Sequence, residues 1–145
     1  MEGKCFMRIM ALDVGDKRIG VALSDADRLT SQPHCVIERR GEMADLAAIM
    51  EIVQAYDVSE LVVGNPMNMD GSRGDRSRKT EKFYNFLKKR VGIQTAFFDE
   101  RLTTAAAERV LMAGDVSRKK RKEVIDKLAA QQILYTYLDY IKRRK

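Results

Sequence analysis

Residues 7–24 read MRIMALDVGDKRIGVALS. Met7 to Val14 is an apolar run that reads as a buried strand. Gly15-Asp16-Lys17 reads as a turn, and Arg18 to Ser24 as the strand that returns beside the first. Gly20, inside that second strand, leaves room for a neighbouring backbone or a ligand to come close. Asp13 stands at the end of the first strand. Aspartate is a poor strand former, and ligands of open α/β sheets gather near strand ends. It can equally serve the turn alone, by accepting local backbone N–H groups.

Outward from this hairpin, Cys35 to Glu38 is a plausible edge strand after Pro33. Met43, Leu46, Ile49, Met50 and Val53 recur at helical spacing and predict an amphipathic helix over 42–56. Glu60 to Gly64 is a short apolar strand of the kind buried in a parallel sheet. Asn65 to Asp75 is a loop rich in turn formers, long enough after a buried strand to carry function. Phe83, Phe86 and Leu87 mark a helix over about 75–90, and Ile93 to Phe98 a further strand. Thr103 or Thr104 can cap a short helix through Met112 that Gly114 stops. A basic linker over 115–120 then leads into a long helix to about Tyr140. The order βββαβαβαα predicts an α/β fold, a mixed five-stranded sheet flanked by helices, as one domain over 1–145 with a basic tail at about 141–145.

The chain has 145 residues, 45% hydrophobic and 33% charged, which suits one folded domain with its own core. No apolar run approaches a membrane span and no signal-peptide pattern opens the chain, so a cytoplasmic protein is expected. Cys5 and Cys35 are isolated, and with a single histidine and no Cys cluster no structural zinc site is expected. His34 reads as a surface or core histidine, and the eight methionines as core. Net charge is +6. It concentrates in the tail Lys142 to Lys145, in Arg118-Lys119-Lys120-Arg121-Lys122, and in a looser group of Arg73, Arg76, Arg78, Lys79 and Lys82. Such patches attract polyanions, although each run alone can be ordinary solvated surface.

Three carboxylates point to chemistry. Glu100 follows the last strand within Asp99-Glu100-Arg101. Neighbouring side chains of an extended segment point opposite ways, so only one of Asp99 and Glu100 can face Asp13. Asp126 interrupts a helix, which aspartate disfavours. Ala129 and Ala130 lie one turn on and give that face a small profile that can approach the sheet. Val124, Leu128, Tyr135 and Leu138 supply a neighbouring apolar stripe, and Gln131 and Gln132 are candidate polar wall residues. Alternatively Asp126 is exposed and pairs with Lys122 or Lys127. If the acids meet at one sheet edge, their mutual repulsion calls for divalent cations, which in a basic protein suggests phosphodiester chemistry.

The segments ALDVGDKRIGVALSD, LVVGNPMNMDGS, FFDERLTTAAAE and IDKLAAQQIL occur in the order of the motifs of the YqgF family, also called RuvX, the Holliday junction resolvase-like nucleases. The resemblance covers about Met7 to Tyr140. It implies a ribonuclease H-like fold and a role in processing pre-16S ribosomal RNA or, alternatively, in resolving Holliday junctions. Asp13, Glu100 and Asp126 are the implied acids. Two residues depart from the family pattern: Asp16 stands where threonine is common, and Asn65 where an apolar residue is common. Asn65 also ends the strand from which the Holliday junction resolvase takes its second acid, leaving that role to Glu100.

The expected protein is therefore a metal-dependent nuclease. Asp13, Glu100 and Asp126 would hold Mg2+ or Mn2+, as two ions, to activate water and stabilise the leaving oxygen. Lys17, Arg18, Arg73, Arg101, Arg118, Lys119, Lys120 and Arg121 would hold phosphates. Such contacts position a substrate without reading its sequence. The expected partner is structured nucleic acid, an rRNA precursor on ribosomal particles or branched DNA, and no membrane. Two rivals use other chemistry. An actin- or sugar-kinase-like phosphotransferase needs two such domains around its nucleotide. A noncatalytic RNA-binding assembly factor needs the basic patches and none of the acids.

Overall fold

The computed structural model of the protein describes residues 8–66, 74–99 and 118–143, the side chains of 118–125 excepted. The strands are β1 (Arg8–Val14), β2 (Arg18–Ser24), β3 (Ser31–Glu38), β4 (Val58–Asn65) and β5 (Gln94–Asp99). The helices are α1 (Glu42–Ala55), α2 (Asp75–Lys88) and α3 (Arg118–Arg143). They form one mixed sheet in the order β3-β2-β1-β4-β5. β2 runs antiparallel to both β1 and β3, while β4 pairs in parallel with β1 and β5 in parallel with β4. The α/β class and the five strands match the sequence reading; the short helix expected through Met112 lies outside the described residues.

Strand alternation sorts the core into two layers. Met10, Leu12, Val21, Leu61 and Val63 face α1 and α2, where Ile49, Val53, Phe83 and Leu87 close the larger layer. Ile9, Ala11, Ala22 and Val62 face α3 and meet Ala130, Ile133, Leu134 and Tyr137. Ala11, Ala22 and Ala130 are small, which lets α3 lie close to β2 and β1.

Four details differ from the sequence reading. β3 begins at Ser31 and runs through Pro33, which an edge strand tolerates because it offers its N–H side to solvent; the pairing shifts register beside it, between Val21 and Ala22. Residues 118–120 form the first turn of α3, not a linker, and Lys142 and Arg143 its last turn, not a tail. Tyr135 is 63% exposed and Leu128 half-buried, so the buried stripe of α3 is Ala129, Ala130, Ile133, Leu134, Tyr137 and Leu138. Met43 is exposed as well, and so lies outside the core.

Candidate active site

Because β1, β4 and β5 are parallel, their C-terminal ends share one edge of the sheet, with Asp13 on β1 and Asn65 opposite Asp99 on β4 and β5. The β1–β2 turn at this edge is tight. The Gly15 N–H donates to the Arg18 carbonyl at 2.8 Å, and Asp13 faces Gly20 across the ladder. Gly20 is where α3 lands. A Cβ there would overlap the Asp126 carbonyl and come within 3.2 Å of its Cα. The close backbone approach foreseen at Gly20 is therefore the helix itself, and it brings Asp126 over the strand position that pairs with Asp13.

Each acid has a guanidinium partner. Arg18 Nε donates to Asp126 Oδ2 at 2.9 Å, a partner the helix spacing does not suggest. Arg76 reaches from the first turn of α2 and donates to Asp13 Oδ1 at 3.2 Å. Asp13 is 7% exposed. Burial, and secondarily the charge of Asp126, push its carboxyl up to about 6, and Arg76 offsets part of that rise. Two acids and two guanidiniums thus meet at the end of β1.

Arg39 steadies the turn beneath them. Its N–H donates to the Lys17 carbonyl at 2.9 Å and its guanidinium to the Gly15 carbonyl at 2.9 Å. The same guanidinium pairs with buried Asp45 of α1 at 3.1 Å and lies 4.5 Å from the centre of the Phe83 ring.

Lys17 is exposed on the turn, and Arg118, Lys119, Lys120 and Arg121 stand on the opening turn of the helix that carries Asp126. Glu100, Arg73 and Arg101 lie outside the described residues. Asp99 falls on the same face as Phe97, the side of α1 and α2, away from Asp13. Asp16 lies 3.9 Å from Lys79 at the surface. Gln131 is not a wall residue; it ties α3 to β3 by donating to the Ser31 carbonyl at 2.9 Å.

Sequence reasoning missed Arg76 as a partner of Asp13. The usable signal was topological: a cation in the first turn of a helix that follows β4 starts at the sheet edge where Asp13 ends. Among the described residues no three His, Cys, Asp or Glu side chains gather into a metal-binding group, the third expected acid lying outside them. No helix among the described residues is long and apolar enough to cross a membrane.

The family model described as RuvX, Holliday junction resolvase, matches residues 7–140. A protein of Halothermothrix orenii named "Putative pre-16S rRNA nuclease" is 53% identical over 134 residues, covering 92% of this chain and 96% of that one. One of the same name from Moorella thermoacetica is 54% identical over 133 residues, covering 92% and 95%. Among solved structures, Thermus thermophilus RuvC in complex with a Holliday junction substrate superposes with a TM-score of 0.55 at 12% identity, over 91% of this chain and 96% of that one. The fowlpox virus Holliday junction resolvase gives 0.56 at 12%, over 93% and 99%. These structural likenesses establish the resolvase-type, ribonuclease H-like fold. The sequence match runs from β1, which carries Asp13, through the part of α3 that carries Asp126, and the chain belongs to the RuvX family.

Proposed function

We propose that the protein is a divalent-cation-dependent nuclease that processes the precursor of 16S ribosomal RNA, with Asp13, Glu100 and Asp126 as its acidic centre. The observation that carries this reading is the seat of Asp126 on Gly20, directly across the ladder from Asp13. Burial beside a second acid penalises the charge on Asp13.

The donor set suits the expected ions. Carboxylate oxygens are hard ligands of the kind Mg2+ and Mn2+ prefer, and a cation would relieve the penalty on Asp13. Asp13 and Asp126 would hold two such ions, with Glu100 as the third acid. Bound there, the ions supply Lewis acidity toward water and the phosphodiester. The chain does the rest. Arg18 and Arg76 neutralise the acids, and a guanidinium suits phosphate oxygens as well as carboxylates. Lys17, Arg73, Arg101 and the basic start of α3 hold the flanking backbone, which favours structured RNA over a sequence-defined site.

The names of the curated relatives support the rRNA precursor as substrate. The family description favours one second reading, branched DNA. The test is cleavage of purified precursor rRNA and of a four-way DNA junction side by side, in Mg2+, Mn2+ and EDTA, with Asp13→Asn and Asp126→Asn alongside. Cation-dependent cutting of the RNA, lost in both variants, is expected. Cutting of the junction alone moves the substrate to DNA, and cutting that survives both variants removes the acidic centre.

A further inference from the structure

A second cluster of polar side chains lies at the other end of the same sheet face. In the turn between β2 and β3, Asp25 Oδ1 accepts the N–H groups of Leu29 at 2.7 Å and Thr30 at 3.0 Å. The turn holds Arg28 in the left-handed region at φ 60°, a conformation a long side chain adopts only when its surroundings enforce it. From there the Arg28 guanidinium reaches the start of β4. It donates to Ser59 Oγ at 3.0 Å and lies 3.8 Å from Glu60 Oε1. Glu60 is 5% exposed, and the Tyr137 hydroxyl of α3 donates to its other oxygen. Tyr137 also stands in an aromatic group, 5.5 Å from Phe98 and 6.4 Å from Tyr140 between ring centres.

Arg28, Glu60 and Tyr137 border a cavity of about 460 Å³ that Asp27, Gln94, Ile141 and Lys142 also line. Ile9 pairs with Glu60, so the cavity lies four residues back along β1 from Asp13, about 13 Å at strand spacing. The acidic centre makes no use of it. A buried carboxylate is costly to desolvate, and an ion pair at 3.8 Å, beyond hydrogen-bond length, repays that poorly. A carboxylate offers about four lone-pair positions, and the Tyr137 hydroxyl takes one. Glu60 therefore faces the cavity with acceptor capacity to spare.

We propose that this cavity takes one unpaired guanine base of a single-stranded nucleic-acid segment. Guanine alone among the four RNA bases presents two adjacent donors, N1–H and N2–H, on its pairing edge, and a carboxylate accepts such a pair. Its O6 and N7 are acceptors that suit a guanidinium. Adenine, cytosine and uracil each turn at least one acceptor toward Glu60, which repels it. Tyr137, backed by Phe98, gives the base an aromatic neighbour, and Lys142 suits a flanking phosphate. The volume lies within the range of about 300–1,000 Å³ usual for small-ligand sites. The site's role rests on the nuclease reading, because it adds base recognition to a substrate otherwise held by phosphate contacts.

The test uses the full chain in EDTA, where binding is separate from cutting. Fluorescein-labelled uridine hexamers with a central guanosine, inosine or adenosine are titrated by anisotropy. The guanosine hexamer should bind about tenfold to a hundredfold more tightly than the adenosine one. Inosine, which lacks the N2 amino group, should fall between them. Glu60→Gln should abolish the preference, because an amide turns a donor toward one of the two guanine donors. If circular dichroism shows that variant unfolded, Arg28→Ala carries the test, with the preference reduced. Equal affinity for the guanosine and adenosine hexamers overturns the proposal, and so does an undiminished preference in a folded Glu60→Gln protein. Guanine-selective binding in EDTA, with no cutting of precursor rRNA or junction DNA in Mg2+, overturns the nuclease reading and keeps the base site.

Discussion

Replacing Asp13 by Asn should make the cation-free protein more stable, and only above mildly acidic pH. An aspartate of the unfolded chain titrates near 3.8, whereas burial and the neighbouring Asp126 push the folded group up to about 6. The folded state therefore binds this proton more tightly than the unfolded state does. The group's contribution to stability is fully favourable below 3.8, falls as pH rises through about 6, and is level beyond. At about 1.4 kcal/mol per pH unit, the difference reaches about 3 kcal/mol at neutral pH. Asn keeps the shape without the charge. It strips Arg76 of its carboxylate, but that side chain is 54% exposed, so the loss is small. The variant should gain about 1–3 kcal/mol at pH 7.5 in EDTA and less than about 0.5 kcal/mol at pH 4. Urea titrations followed by circular dichroism at both pH values measure this. Millimolar Mg2+ should then stabilise the parent and leave the variant unchanged, since only the parent gains binding free energy on folding. A variant less stable than the parent at pH 7.5, or a gain equal at both pH values, refutes the argument that Asp13 carries a charge penalty in the fold.

Gly20→Ala should cost about 1–3 kcal/mol in stability, because its Cβ meets helix backbone rather than a flexible side chain, and should depress cleavage beyond what the unfolded fraction explains. Parallel melts and rates at a temperature where the variant is folded separate the two effects. Neutralising Arg118, Lys119 and Arg121 together should flatten the salt dependence of RNA binding by a log–log slope of about 2–3; an unchanged slope makes the first turn of α3 ordinary solvated surface. Activity should appear with Mg2+ or Mn2+, while Ca2+, with its longer and looser ligand shell, should permit binding and inhibit cutting. Full cleavage in EDTA by protein shown metal-free by elemental analysis ends the metal reading.

The hairpin was legible because its chemistry is local. An apolar run, a turn of Gly15-Asp16-Lys17 and a second apolar run leave few alternatives, and Gly20 announced that something passes close. Asp126 was only half legible: aspartate disfavours a helix slightly and Ala129 and Ala130 make that face small, but an exposed aspartate paired with a lysine reads the same. What it pairs with was not legible, because Arg18 lies on a distant strand and only the lysines within one helical turn are visible in sequence. The apolar stripe of α3 was read one register off at Tyr135, since tyrosine suits core and surface alike and only the packing against β1 and β2 decides. The Asp45–Arg39 pair went unread for a similar reason: a buried aspartate in the first turn of a helix looks the same as a solvated one.

The contact between Arg18 and Asp126 joins residues 108 positions apart, and the Ser31–Gln131 contact spans 100. At about 5–20 residues per second, a ribosome needs from about five to some twenty seconds to make the intervening chain. Throughout that interval β1 and β2 can pair into a hairpin, but Asp13 is without Asp126 beside it. Docking of α3 must also pay the closure entropy of that long loop before its contacts reward it, which places the step late in folding. A chain whose α3 is still inside the exit tunnel therefore carries Asp13 without Asp126.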